Sequence, residues 1–327
     1  MRHPKHSPGG EAIKLQELEG ETKVIKVENV TKSFDGFKAL DELNLNVEKG
    51  SVYGLVGPNG AGKSTIIRHL TGIYRQDSGK ILIDGQEVYD NAEIKKRIAY
   101  IPDDLYFFLN SDMDDMAKFY KGIYENFNME RYDKLLTVIT SIDRKKTIRK
   151  MSKGMQKQAA FVLAMCLMSD VMILDEPVDG LDPVMRRQIW SLLMQDVTER
   201  KVTVLVSSHN LRELEDVCDT VGIMNKGKML LERSLYSMQE GITKLQVAFK
   251  DEAAVQMDDE TIEGCKLLNK QKNGSVYTLI VKCPEAEIKA KLQKYEPLLL
   301  DSIPLTLEEI FIHELGGEHY GIKEIIL

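Results

Sequence analysis

Apolar and polar positions alternate from Thr22 (TKVIKVENV), the pattern of a half-exposed strand. LNLNVEKG, ending at Gly50, predicts a second strand after a turn at Asp35-Gly36. SVYGLV, Ser51 to Val56, is instead a short unbroken apolar run and reads as a buried strand; TIIRHL after Ser64 reads as a helix. DSGKILIDGQEV predicts two short strands about a tight Asp84-Gly85 turn, and RIAYIP, Arg97 to Pro102, a strand stopped by its proline. A helical stretch is expected from Leu105 to about Met168, ending in the longest apolar run of the chain, Ala159 to Met168. Buried strands follow at Val171 to Asp175 and Val202 to His209. Between them GLDPVMRRQIWSLLMQDV carries a turn and a helix with Pro183 near its first turn. LRELEDVCD predicts a helix, and TVGIMNKGKML a hairpin turning near Lys226-Gly227. Past Gly241 the character changes. ITKLQVAFK, SVYTLIVK and PLLLDSI read as strands, AEIKAKLQKY and TLEEIFIHEL as helices.

This order of elements predicts an α/β core followed by a small α+β domain. The expected divisions are residues 1–20 as a disordered extension, 21–241 as the core domain with residues 105–168 as a helical subdomain, and 242–327 as the accessory domain. The extension is rich in Pro, Gly and charge and lacks the apolar segment of a signal peptide. No repeat of fixed period occurs. The 327 residues are enough for one large core without staples. No stretch approaches the ~20 apolar residues that span a bilayer. A net charge of −7 and a pI near 5.6 give no basis for nucleic-acid binding. Cys166, Cys218, Cys265 and Cys283 are far apart, form no CxxC pair, and read as reduced thiols in a cytosolic protein rather than a disulfide framework or zinc site.

The candidate chemistry centres on GPNGAGKST: Gly57, Pro58, Asn59, Gly60, Ala61, Gly62, Lys63, Ser64 and Thr65. A glycine, four residues, then Gly-Lys-Ser between a strand and a helix is the P-loop pattern. Its glycines let successive N–H groups converge on one anion, and the helix start adds a positive dipole end. Lys63 is expected on the β- and γ-phosphates, the Ser64 hydroxyl on Mg²⁺, and Thr65 on a phosphate. The apolar strand ending in Asp175 and Glu176 offers one carboxylate for Mg²⁺ and a second to polarise a water. Other residues carry two readings. Phe34 is either a base-stacking aromatic or a packed hairpin residue. Asp103, followed by Asp104, either faces a nucleotide or caps a helix. Tyr106, Phe107 and Phe108 form either core or a docking surface. Ser152 and Gly154 start a helix that either binds an anion or is only capped. His209, just past a strand end, is either structural or part of a ligand site.

Taken together these segments resemble the ATP-binding subunits of ABC transporters, over roughly Thr22 to Glu240. GPNGAGKST matches that family's Walker A, VMILDEP its Walker B with Asp175 and Glu176, GLDP its D-loop aspartate Asp182, and SSHN its switch histidine His209. Phe34 falls where the family's base-stacking aromatic belongs. MSKGM stands in place of the usual LSGGQ signature, keeping Ser152 and Gly154 but not the residues at Lys153 and Met155; Asp103 stands where a glutamine is usual. The resemblance implies a P-loop ATPase with a mixed sheet and a helical subdomain, using ATP and Mg²⁺. Ser64, Asp175 and Asp103 would lie near the metal, and Glu176, His209 and Lys63 would be catalytic. Phe34, the loop from Gly57 to Thr65, Asp103, Ser152, Gly154 and Asp182 would contact nucleotide. It also implies a head-to-tail homodimer or heterodimer of ATP-binding subunits and a separate membrane permease, which would put the chain on the cytoplasmic face of the membrane. The MSKGM signature and closing LTLEEIFIHELGG resemble ATPases of bacterial exporters, antimicrobial-peptide exporters among them. The competing expectations are a soluble ABC ATPase and a regulatory ATP-binding subunit with weak hydrolysis. The departures at Asp103, Lys153 and Met155 leave the regulatory reading open; Glu176 and His209 argue against it.

Overall fold

The computed structural model describes residues 23–239, 241–250 and 260–314; the expected extension over residues 1–20 and the residues after 314 lie outside these. The chain divides into two compact units, Met1–His209 with Val217–Glu232, and Asn210–Asp216 with Arg233–Leu327.

In the first unit β1 (Lys23–Phe34) and β2 (Phe37–Glu48) form an antiparallel hairpin. Its turn uses Asp35 and Gly36 at positive φ, 47° and 83°, which sets Phe34 opposite Phe37. β3 (Val52–Val56) belongs to a second sheet, and β4 (Ser78–Ile83) with β5 (Gln86–Glu87) returns to the first, giving the order β2-β1-β4-β5. The second sheet is completed by β6 (Ile98–Ile101), β7 (Val171–Asp175), β8 (Thr203–Ser208), β9 (Thr220–Asn225) and β10 (Lys228–Ser234), in the order β10-β9-β3-β8-β7-β6. Every residue of β3, β7 and β8 is buried, and β3 pairs in parallel with β8 and β9, as β7 does with β8 and β6. Such unbroken apolar runs suit parallel strands covered on both faces.

The helical region begins later than its sequence pattern suggests. Residues 105–110 carry no helix; the first starts at Met113 behind a reciprocal capping box of Asp112 and Asp115. Helices Met113–Ile123, Met129–Val138 and Lys153–Cys166 follow, capped by the side chains of Asp112, Asn128 and Ser152. The 105–110 segment instead splits its aromatics: Phe107 is buried, whereas Tyr106 and Phe108 are exposed. Asp196, 2% exposed on helix Pro183–Arg200, binds Arg131 at 2.5 Å and Arg200 at 3.0 Å, which ties that helix to Met129–Val138. Leu211 to Asp219 is not a helix but a single 3-10 turn, Leu211–Glu213. Its polar groups are taken by tertiary partners: both Glu308 oxygens accept from Arg212, and Glu215 accepts the Leu307 N–H at 2.8 Å.

The second unit holds β11 (Ile242–Ala248), β12 (Thr261–Ile262), β13 (Cys265–Asn273), β14 (Val276–Lys282) and β15 (Leu299–Ser302) as an antiparallel sheet, β12-β13-β14-β11-β15. Helix Glu285–Gln293 drives Ile288 and Leu292 into its core beside Leu245, Val247, Leu279 and Val281.

One polar cluster in the helical region has a readable pH signature. Asp114 accepts from Tyr132 at 2.9 Å, Lys145 at 2.6 Å and Arg144. Burial alone would raise its carboxyl, but the hydrogen bonds from Lys145, Arg144 and Tyr132 outweigh it and hold the group at about 2, below its ordinary 3.8. The folded value lies under the unfolded one, so this stabilisation is present in full above about pH 4 and drains away as pH falls toward 2. Asp114→Asn is therefore expected to cost about 1 kcal/mol at pH 6, after discounting for solvent screening. Urea unfolding at pH 3 should show a clearly smaller gap between the variant and the parent.

Candidate functional site

The parallel register assembles the site. Val56 pairs with Ser208, and Asp175 with Ser207. The residues that leave these strands, Gly57, Glu176 and His209, therefore emerge side by side at the carboxyl edge, where open α/β sheets hold ligands. Ile101 pairs with Leu174, which brings the β6 exit and Asp103 to the same edge.

The loop after β3 is shaped for close approach. A Cβ on Gly57 would stand 2.3 Å from the Met224 carbonyl oxygen, so no larger residue fits there. Gly62, at φ 105°, is the N-cap of helix Lys63–Leu70 and supplies no side chain to cap it; no acidic residue occupies the first turn. The first-turn N–H groups and the positive dipole end are thus left for an external anion. Lys63 is 6% exposed. Its Nζ donates to the Gly57 carbonyl at 2.5 Å and to that of Pro58 at 3.4 Å, and lies 3.6 Å from Glu176 Oε1. Burial lowers its pKa against the opposing pull of Glu176.

Glu176 stands at φ 47°, a left-handed conformation that costs a non-glycine residue about 1–2 kcal/mol. Three sets of bonds hold it there. Its N–H donates to Ser207 Oγ at 3.1 Å, its carbonyl accepts Lys157 Nζ at 2.7 Å, and its Oε2 receives the His209 N–H at 3.3 Å and lies 2.9 Å from His209 Nδ1. The Ser207 hydroxyl donates onward to Asp175 at 2.6 Å, and Asp175 is buried. The His209 side chain is 48% exposed, so its pairing adds at most about 1 kcal/mol of stability. Its effect is to aim the Glu176 carboxylate.

A cavity of about 350 Å³ lies over the loop from Pro58 to Thr65, with Phe34, Phe37, Asp103 and Glu176 in its walls. Asp103 caps no helix. It sits 3.6 Å from Lys157 Nζ, and burial raises its pKa, helped by the Asp175, Asp104 and Glu176 carboxylates and opposed by Lys157. Phe34 is half-exposed, edge-on to Tyr74 at 5.5 Å with Lys32 Nζ 5.4 Å from its ring centre. Ser152, Gly154 and Asp182 do not line this cavity. Ser152 and Asp182 are exposed, and their side chains cap helices Lys153–Cys166 and Pro183–Arg200. A Cβ on Gly154 would touch Leu181 at 3.4 Å, so the two helix starts are neighbours. Phe37 and Lys157 were not singled out in the sequence. Phe37 could have been found from its place across the Asp-Gly turn from Phe34; nothing local marks Lys157.

A glycine cradle, an uncapped helix start, a buried lysine and paired acids at parallel strand ends define a P-loop NTPase. The ABC transporter family profile matches residues 40–179. The chain is 30% identical to the ABC transporter ATP-binding protein YtrB of Bacillus subtilis (strain 168), over 90% of this chain and 99% of that one. It is 35% identical to the bacitracin transport ATP-binding protein BcrA of Bacillus licheniformis, over 64% of this chain and 69% of that one. A dimeric ATP-binding cassette solved in a post-hydrolysis state with ADP and phosphate has the same fold, with a TM-score of 0.59 at 21% identity, over 64% of this chain and 98% of that one. The chain belongs to the ATP-binding proteins of ABC transporters, and it is an ATPase. Such subunits dimerise and work with a membrane permease at the cytoplasmic membrane face. Among the described residues no helix is long and apolar enough to cross a membrane.

Gly57→Ala should push its new methyl into the Met224 carbonyl and distort the cradle. Titration with a fluorescent ATP analogue is expected to show at least a tenfold weaker Kd, about 1.4 kcal/mol, with an unchanged far-ultraviolet circular dichroism spectrum.

Proposed function

We propose that this chain drives a bacterial exporter of peptide antimicrobials or similar cargo, through a permease on a separate chain. The relatedness to the bacitracin transport protein supports the cargo class. Residues 21–241 act as the ATP-binding domain, with 105–168 as its helical subdomain and 242–327 as an accessory domain. The observation that carries the catalytic assignment is the Glu176 carboxylate, set between Lys63 at 3.6 Å and His209 at 2.9 Å on the cradle's rim.

In this reading ATP lies with its phosphates on the N–H groups from Gly60 to Thr65 and its base against Phe34, with Phe37 beside it. The residues suit a triphosphate: the cradle excludes a Cβ at Gly57, the helix start is uncapped, and Lys63 is already dehydrated. The Ser64 hydroxyl and Asp175 carboxylate, with Asp103 nearby, are hard oxygen donors that suit Mg²⁺. That ion, when bound, neutralises charge on the transferred phosphoryl group. Lys63 adds a second positive charge there. Glu176 orients the attacking water and draws on its proton, while His209 holds the carboxylate in position and contacts the γ-phosphate.

Ser152, Gly154 and Asp182 complete the site of a second subunit in a head-to-tail dimer, identical or paralogous. The exposure of Ser152 and Asp182, and the position of all three away from their own chain's cavity, support this. The permease docks beside Asp103, on Tyr106 and Phe108. The exposure of Tyr106, Phe108 and Leu109 supports that surface, as does a hollow of about 390 Å³ lined by Leu105, Tyr106 and Phe107. The chain then sits peripherally on the inner membrane face.

Glu176→Gln keeps the shape of the side chain but removes its charge. Steady-state ATP turnover is expected to fall by about a hundredfold or more, with nucleotide still bound. Equal turnover by the variant and the parent would remove Glu176 from catalysis.

A further inference from the structure

The second unit contains a thiol pair that has no part in ATP chemistry. Cys265 opens β13, and Cys283 follows β14 directly. The antiparallel register sets Lys266 against Lys282, so the two cysteines face each other one position further on. Their Sγ atoms lie 2.6 Å apart, and both residues are 4% exposed. Directly opposed residues on antiparallel strands have Cα atoms about 4.5–5.5 Å apart, inside the range a disulfide spans. The Cys283 carbonyl accepts the Thr243 hydroxyl at 2.7 Å, which fixes the backbone at this point.

Helix Glu285–Gln293 supplies charge beside the pair. Lys291 Nζ stands 3.4 Å from Cys265 Sγ and 2.6 Å from Glu287 Oε1, and a Glu287 carboxylate oxygen lies within 4.8 Å of both sulfurs. This chemistry fits two occupants, a bound metal or a covalent bond between the sulfurs. The geometry separates them. Tetrahedral zinc, with Zn–S near 2.3 Å, holds two thiolates roughly 3.8 Å apart, well beyond the separation found here. The Lys291 ammonium also already supplies the cation of the cluster.

We propose that Cys265 and Cys283 form a reversible disulfide by exchange with a low-molecular-weight disulfide. Lys291 Nζ stands 3.4 Å from Cys265 Sγ, and burial and the neighbouring Cys265 push the Cys283 thiol up to about 12. The order of events follows. Cys265 loses its proton to solvent, and its thiolate attacks the small disulfide, forming a mixed disulfide and expelling one small thiolate. Cys283 passes its proton to Glu287 and attacks the Cys265 sulfur, expelling the second small thiolate. Two protein thiols are oxidised to one disulfide, and one small disulfide is reduced to two thiols. The bond closes the β13–β14 hairpin covalently.

The test uses the full chain, incubated natively with oxidised glutathione, acid-quenched and denatured. Titratable thiols should fall from four to two, and a digest should contain Cys265 linked to Cys283. Dithiothreitol should restore all four. Cys283→Ser should instead trap glutathione on Cys265. Three results would each overturn the proposal: thiols that stay at four, losses that fall on Cys166 or Cys218, or purified protein that holds stoichiometric zinc and becomes oxidisable only after chelation. None of these readouts depends on ATP turnover, so the outcome is independent of the transport assignment.

Discussion

The parallel pairing of β3, β8 and β7 is the constraint on which the site depends. Three buried strands run in the same direction with Val56 level with Ser208 and Ser207 level with Asp175. The cradle, the paired acids and the histidine come from distant stretches of sequence, and this register alone makes them neighbours. A slip of one residue would turn each strand's side chains to the opposite face and carry Asp175 away from Ser207. The complete burial of these strands on both faces makes such a slip costly. The same apolar packing that stabilises the core therefore also sets the spacing of the chemistry.

Around that edge, polar groups are arranged to hold one strained residue. Glu176 adopts a backbone conformation that a glutamate avoids, and Ser207, Lys157 and His209 each take one of its groups. Strain of this kind persists only where the surroundings over-determine it, and it gathers at functional sites. Lys157 also reaches Asp103, so one ammonium lies between the unusual carboxylate that follows β6 and the backbone carbonyl of Glu176 after β7. An aspartate at 103 thus comes with a cationic partner, and the electrostatic balance of the site differs from one built on a neutral amide.

Much of this was legible in the sequence because it rests on local rules. The P-loop spacing, the apolar runs ending in acids, the Asp-Gly turns and the Ser152 cap are read within a few residues, and the structure places each as its pattern suggests. What failed were stretches whose conformation is set from outside. Leu211 to Asp219 has apolar residues at helical spacing, yet Glu308 and the Leu307 N–H take its polar groups and only one turn forms. Residues 105–110 look helical from their apolar content, but the capping box at Asp112 fixes the start later. β12 and β13 carry little apolar alternation because their exposed positions are polar throughout, although Asn273-Gly274 is a strong hairpin signal. Lys157 and the Cys265–Cys283 pair had no local sign; both are products of register and helix placement.

The segment Asn210–Asp216 begins one residue after the histidine of the site, yet it is counted with the C-terminal unit. Its partner Glu308 lies 96 residues downstream of Arg212. On a ribosome adding about 5–20 residues per second, that interval is roughly 5–20 s. For that time the nascent chain carries, next to His209, a stretch whose partners have not yet been made. The second unit thus completes a segment that begins directly after His209, so a chain truncated before Leu307 would leave Arg212 and Glu215 without these partners.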